Sequence, residues 1–339
     1  MFYDEPIFFE KNRVFRVYTG GKLFSDFFGD DSCDGYYPEE WVVSSVKALN
    51  EGSTDEHEGV SKIRGTELYL DEAIEKYHKE LLGDREDIGI LTKILDSAIR
   101  LPVQAHPDKE FSKKYFSSKY GKEESWIILA TRPGAKIFYG FKDGVTLDEF
   151  SDAIDKSEEK SDAMENLLCS IDVKVGDVIY IPAKMVHAIG SGCLLLEVQE
   201  PTDFTVQPER WCGEYKLSDK EMYLGLSREN ALECFDMKKR YPAPLKPKLI
   251  SDSDGVKYEA MIDESITESF SVRTVSLSGG SFVLGRGAAV YVVTEGEGFI
   301  EGNNKHIKIK KGDYFLLPEC IKGKFSVTGN GLKITECFA

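Results

Sequence analysis

A seven-residue pattern occurs twice in this chain and limits its fold more than any other feature. Gly176-Asp177-Val178-Ile179-Tyr180-Ile181-Pro182 returns as Gly312-Asp313-Tyr314-Phe315-Leu316-Leu317-Pro318. Gly-Asp makes a tight turn, the alternating residues form a strand, and proline ends the strand at a sheet edge. Upstream, an apolar run and turn ending in Lys136-Ile137-Phe138-Tyr139-Gly140 is echoed over residues 288–302. One Gly-Asp turn is unremarkable in a β protein, whereas two with matching upstream strands predict duplicated jelly rolls, each a sandwich of Greek-key sheets. A length of 339 residues accommodates two such units. The expected class is therefore mainly β: two jelly-roll sandwiches with a helical insertion.

The local signals divide the chain in three. Residues 1–100 are expected to supply strands and helices that pack on the first jelly roll. They read as strands at 14–18 and 41–44, a polar loop at 48–60, a helix at 71–82 stopped by Gly83, and a second helix at 91–99. Residues 101–241 are expected to form the first jelly roll, with a helical insertion and trailing helices. Thr146 and Glu149 make a capping box that opens a helical insertion running toward Leu168. Ser218 with Glu221, and Ser227 with Asn230, start two short helices reaching about Met237. Pro242, Pro244 and Pro247 mark the boundary. The second jelly roll is expected over residues 242–339, where Ile307 and Ile309 alternate with lysines.

Composition removes several classes of function. An apolar fraction of 41% excludes global disorder. The apolar runs are too short to span a membrane, and Met1-Phe2-Tyr3-Asp4-Glu5 does not read as a signal peptide. Seven cysteines without a CxxC suit reduced thiols and predict a cytoplasmic location. A net charge of −16 argues against nucleic acid and anionic membranes as partners, and requires a local basic pocket for any phosphorylated substrate.

Four residues form a metal-ligand set. Gln104 and His106 are two apart in a strand-like segment, so period two turns both to one face. Glu124 stands where the next strand begins, and His187 lies just past the first Gly-Asp strand. An amide oxygen, two imidazoles and a carboxylate suit Zn²⁺ first, with Fe²⁺, Mn²⁺, Co²⁺ or Ni²⁺ as alternatives. The second repeat is an internal control, because Gly323 stands where His187 stands in the first. A dioxygenase is disfavoured, since that chemistry keeps two histidines, one carboxylate and open positions.

Residues 101–108, 121–126 and 182–190, with Glu197-Val198-Gln199 and Asp203, resemble the signature blocks of the type I phosphomannose isomerases of the cupin superfamily. The likeness runs from about Gly20 to the C-terminus. It implies that Gln104, His106, Glu124 and His187 hold zinc, that Lys122 is an active-site lysine, and that Glu197 is an active-site carboxylate. It implies aldose–ketose isomerisation of mannose 6-phosphate and fructose 6-phosphate through a cis-enediol, with Glu197 or a water held by the ion as base. Two positions depart from the family. Pro102 replaces a phosphate-holding serine, and Gln207 replaces a catalytic arginine, losing its charge and fork. Arg210 is the candidate substitute, with Lys136, Lys184 and Arg100 as other cations. Asp203, Gln207, Lys136 and Lys184 complete the expected substrate contacts. Isomerisation of a different sugar, phosphorylated or free, is the alternative, and a zinc-retaining sugar-binding cupin without turnover is another. The oligomeric state is left open.

Overall fold

The computed structural model of the chain describes residues 1–159, 162–238 and 244–339, so the boundary expected at Pro242 lies outside the described residues. The Gly-Asp segments become the strands Val178–Ile181 and Tyr314–Leu317. Their upstream echoes become Glu124–Thr131 with Lys136–Phe141, and Ala289–Glu295 with Glu297–Gly302. In each half the Gly-Asp strand pairs antiparallel with the first of these, Ser125 opposite Tyr180 and Tyr291 opposite Phe315. The duplication is therefore structural, and the architecture is mainly β as expected.

A six-stranded sheet runs in the order Arg13–Val14, Glu39–Val42, Leu91–Ser97, Cys193–Gln199, Glu124–Thr131, Val178–Ile181. A three-stranded sheet, Leu168–Asp172, Lys136–Phe141 and His187–Ile189, packs against it, and a nine-stranded sheet builds the C-terminal half. Side-chain parity explains how the halves join. Ile179 and Ile181 enter the core of the first jelly roll, while Val178 and Tyr180 enter a core shared with the other half. In the second copy Phe315 and Leu317 enter their own core, and Tyr314 and Leu316 the shared one. The two large sheets thus pack back to back, and their inner strands are buried on both faces.

This double burial corrects one expectation. Residues 91–99 are not a helix: Leu91–Ser97 is a strand, buried at every position. A strand covered on both faces loses the polar alternation that identifies it, and its apolar run reads equally as a helix. The helix expected over 71–82 is two, Leu70–Lys76 and His78–Leu82, broken at Tyr77, whose φ of −127° and ψ of 38° leave the helical region. Of the segment 14–18 only Val14 joins a ladder, in the strand Arg13–Val14. Residues 101–106 make single bridges, Gln104 to His187 and Ala105 to Val206, in place of a regular strand.

The capping signals produce the helices they predict. Thr146 accepts from the Glu149 N–H and opens Leu147–Lys156; serine caps open Asp219–Tyr223 and Arg228–Leu232. The N-terminal residues reach both halves. Ile7–Phe8 pairs with Tyr314–Leu317, Ile7 opposite Leu316, and a few residues later Arg13–Val14 pairs with Glu39–Val42. Tyr314 seals this crossing by donating its hydroxyl to Glu40 at 2.5 Å. No helix among the described residues is long and apolar enough to cross a membrane.

Candidate metal centre

The parity that sends Leu95, Trp126 and Leu195 into the first core also turns Lys93, Glu124 and Glu197 inward from three adjacent strands. They line a cavity of about 380 Å³, a size suited to a small ligand. Behind its wall lie the buried imidazoles of His106 and His187. The segment carrying Gln104 is pinned twice. The Gln104 and His187 backbones exchange hydrogen bonds of 2.8 and 2.9 Å, and buried Glu209 accepts from the Val103 N–H at 2.7 Å. Gln104 itself lines the cavity.

Ligand atoms of His106, Glu124 and His187 all lie within 4.8 Å of one another. His187 Nδ1 faces the Met185 carbonyl at 2.8 Å, and its buried Nε2 has no hydrogen-bond partner. His106 Nδ1 faces the Phe204 carbonyl at 3.0 Å, while Nε2 faces Glu124 Oε1 at 3.0 Å. Lys122 Nζ also lies 3.3 Å from Nε2, so this nitrogen meets both a carboxylate and an ammonium. Burial, opposed by Glu124 and helped by Lys122, pushes the His106 pKa down to about 3, and burial lowers that of His187 as well. A neutral ring keeps a nitrogen lone pair to offer a cation. The donor set also fits: two imidazoles whose Nδ1–H groups are held by carbonyls leave Nε2 free to ligate.

Glu124 completes the cluster as an anion. Burial alone would raise its pKa, but His106 and Lys122 hold it well below the usual carboxylate range. Lys122 Nζ lies 2.9 Å from Glu124 Oε1. Thr205 Oγ1 accepts from the same ammonium at 3.2 Å. Glu197 behaves oppositely: burial and the nearby Glu124 charge raise its pKa, against Lys93 at 3.1 Å and Lys122. Trp126 Nε1 donates to it at 2.9 Å.

The expected site residues separate into two groups. Gln104, Lys122, Glu124, Glu197, Asp203 and Gln207 line the cavity, as does Pro102. Gln207 is tied back by its Nε2 to the Glu221 carbonyl at 3.2 Å. Arg210, Lys136 and Lys184 are not among the lining residues. Arg210 is spent on Glu158, the Leu217 carbonyl and Asp219, at 2.6 to 2.7 Å, because Asp219 and Glu158 offer it carboxylates nearer than the cavity. Lys184 points to Asp108 at 3.8 Å, Lys136 begins the strand Lys136–Phe141 in the three-stranded sheet, and Arg100 makes a two-pronged pair with Glu209. The cations that reach the cavity instead are Arg16, Lys93 and Lys220, none of them expected from the sequence. A lysine in the middle of an apolar run was the available signal for Lys93.

The chain matches a family model described as mannose-6-phosphate isomerase, cupin domain, over residues 263–336. It is 31% identical to the mannose-6-phosphate isomerase ManA of Bacillus subtilis, with 96% of each chain covered. It is 29% identical to a mannose-6-phosphate isomerase of Streptococcus mutans, with 94% of each covered. The crystal structure of a mannose 6-phosphate isomerase from Bacillus subtilis superposes with a TM-score of 0.78 at 23% identity, covering 98% of this chain and 99% of that one.

Proposed function

Because this chain belongs to the mannose-6-phosphate isomerase family of the cupin superfamily, we propose that it interconverts mannose 6-phosphate and fructose 6-phosphate at the His106–Glu124–His187 centre. The observation that carries this reading is that Gln104, Glu124, Lys122 and Glu197 line one cavity, with His106 3.0 Å from Glu124 behind its wall. Gln104, His106, Glu124 and His187 would hold the ion, with Zn²⁺ the first choice for this donor set. The ion would supply positive charge beside the sugar oxygens where enediolate charge develops. Lys122 adds a fixed ammonium on the same side. Glu197 is the base that takes the proton from C2 and returns it to C1, its raised pKa bringing it closer to neutral pH. Lys93 and Trp126 hold its two carboxylate oxygens and fix its aim.

Glu197→Gln keeps the shape and removes the base. It is expected to lower kcat by about 10²- to 10⁴-fold while metal content stays at one ion per chain. Coupled assay and elemental analysis read the two quantities; unchanged turnover would remove Glu197 from the chemistry.

A second reading, isomerisation of an unphosphorylated sugar, has its own support in the cavity's charges. Arg16, Lys93 and Lys122 are each already paired with carboxylates, Lys220 lies 3.8 Å from Glu51, and Gln207 brings no charge. Turnover on a panel of phosphorylated and free aldoses separates the readings. Under the first, Gln207→Arg is expected to raise kcat/KM for mannose 6-phosphate tenfold or more, of the about 10²-fold that one electrostatic stabiliser supplies. Arg210→Ala is expected to change it less than twofold. A loss of activity in Arg210→Ala would contradict the placement of Arg210 outside the site.

A further inference from the structure

Residues 202–206 form a short span that touches the metal cluster without supplying a ligand. Its Phe204 carbonyl receives His106 Nδ1 at 3.0 Å, and its Thr205 hydroxyl receives Lys122 Nζ at 3.2 Å. The ends are fixed by main-chain and side-chain bonds: Thr202 Oγ1 to the Gly121 carbonyl at 2.8 Å, and Val206 to Ala105 in both directions. The middle is fixed through Asp203. Arg16 Nη2 spans both Asp203 carboxylate oxygens at 3.1 and 3.2 Å, and the Leu49 N–H adds a bond at 2.8 Å. On its other side the same guanidinium donates from Nε to Glu39 at 3.0 Å and from Nη1 to Asn50 at 2.9 Å. Only 12% of the Arg16 side chain is exposed.

We infer that Arg16 is a positioning residue for the metal centre, acting through Asp203 on the span that orients His106 and Lys122. The inference rests on the reading that a divalent ion sits at His106, Glu124 and His187. A planar fork can hold Asp203, Glu39 and Asn50 in one plane; a lysine ammonium keeps the charge and cannot reach all three. Loosening Asp203 lets the Phe204 carbonyl drift and frees the His106 ring to turn, which weakens its hold on the ion. Groups that orient a metal-bound histidine typically account for about 10- to 100-fold in metal affinity.

The test is Zn²⁺ affinity of the full chain, measured by chelator competition, for wild type, Arg16→Lys, Asp203→Asn and the double variant. Arg16→Lys and Asp203→Asn are each expected to weaken Zn²⁺ binding at least tenfold and to lower kcat more than they raise KM. The double variant is expected to lose no more than the worse single one, since both break one chain of contacts. Additive losses overturn the route through Asp203. Undiminished Zn²⁺ affinity in Arg16→Lys, with only a lower Tm, overturns the inference and leaves a structural salt bridge. If wild type itself binds no Zn²⁺, the metal reading fails before the clamp is tested, so the two failures are distinguishable.

Discussion

His187→Ala is expected to leave the protein without its divalent ion and to cut isomerase turnover by more than about a thousandfold. The residue is fully buried, its Nδ1 is fixed by the Met185 carbonyl, and its Nε2 has no other partner. Its role toward an ion is therefore that of a ligand, not of a support. Loss of a mere support costs about 10- to 100-fold in affinity, and loss of a ligand costs more. The folded protein should survive, since truncation removes an orphaned nitrogen along with the ring. His106→Ala is expected to behave alike. Elemental analysis after dialysis and a coupled assay give the two readouts. One full equivalent of metal retained in His187→Ala would move the site elsewhere in the chain.

Glu39→Ala is expected to destabilise the fold by about 3–5 kcal/mol, the range for removing one partner of a buried ion pair. Glu39 is buried and accepts from Arg16, Tyr18 and Trp41, at 3.0, 2.7 and 2.6 Å, with Lys93 at 3.6 Å. Without it the buried Arg16 and Lys93 keep one carboxylate each, Asp203 and Glu197. Burial pushes the Glu39 pKa up, but Arg16 and Lys93 outweigh that and bring it down to about 2, from an ordinary 4.5. A depressed carboxylate pKa stabilises the fold fully above the unfolded value and ceases to do so as pH falls through the folded one. The wild type should therefore lose stability between pH 4.5 and 2 by a margin that Glu39→Gln lacks. Chemical denaturation across that window reads the difference; parallel curves would mean that Glu39 carries no charge-dependent load.

What the sequence disclosed was whatever repeats or acts locally. The duplicated Gly-Asp strands could be aligned by eye, and the serine and threonine caps act within four residues of themselves. Gln104, Glu124 and Glu197, each singled out in the sequence, line one cavity in the structure. What stayed hidden depends on contact between distant segments. Leu91–Ser97 was misread because shared burial erased its alternation, and with it went the inward-facing Lys93. Arg16 meets Asp203 across 187 residues, a pairing no local pattern encodes. Arg210 was favoured for closeness in sequence to the missing arginine, and its surface carboxylates claimed it instead.

The crossing of the N-terminal residues between halves has a consequence in time. Ile7 and its partner Leu316 are more than 300 residues apart, and a ribosome delivers them in that order. At about 5–20 residues per second, Ile7-Phe8 waits roughly 15–60 s before its strand partner exists. The first jelly roll can collapse during that interval, with this segment held by its early contacts to residues 62–64. Closure of the N-terminal strand is then among the last events of assembly, and it marks a chain whose translation has passed residue 317.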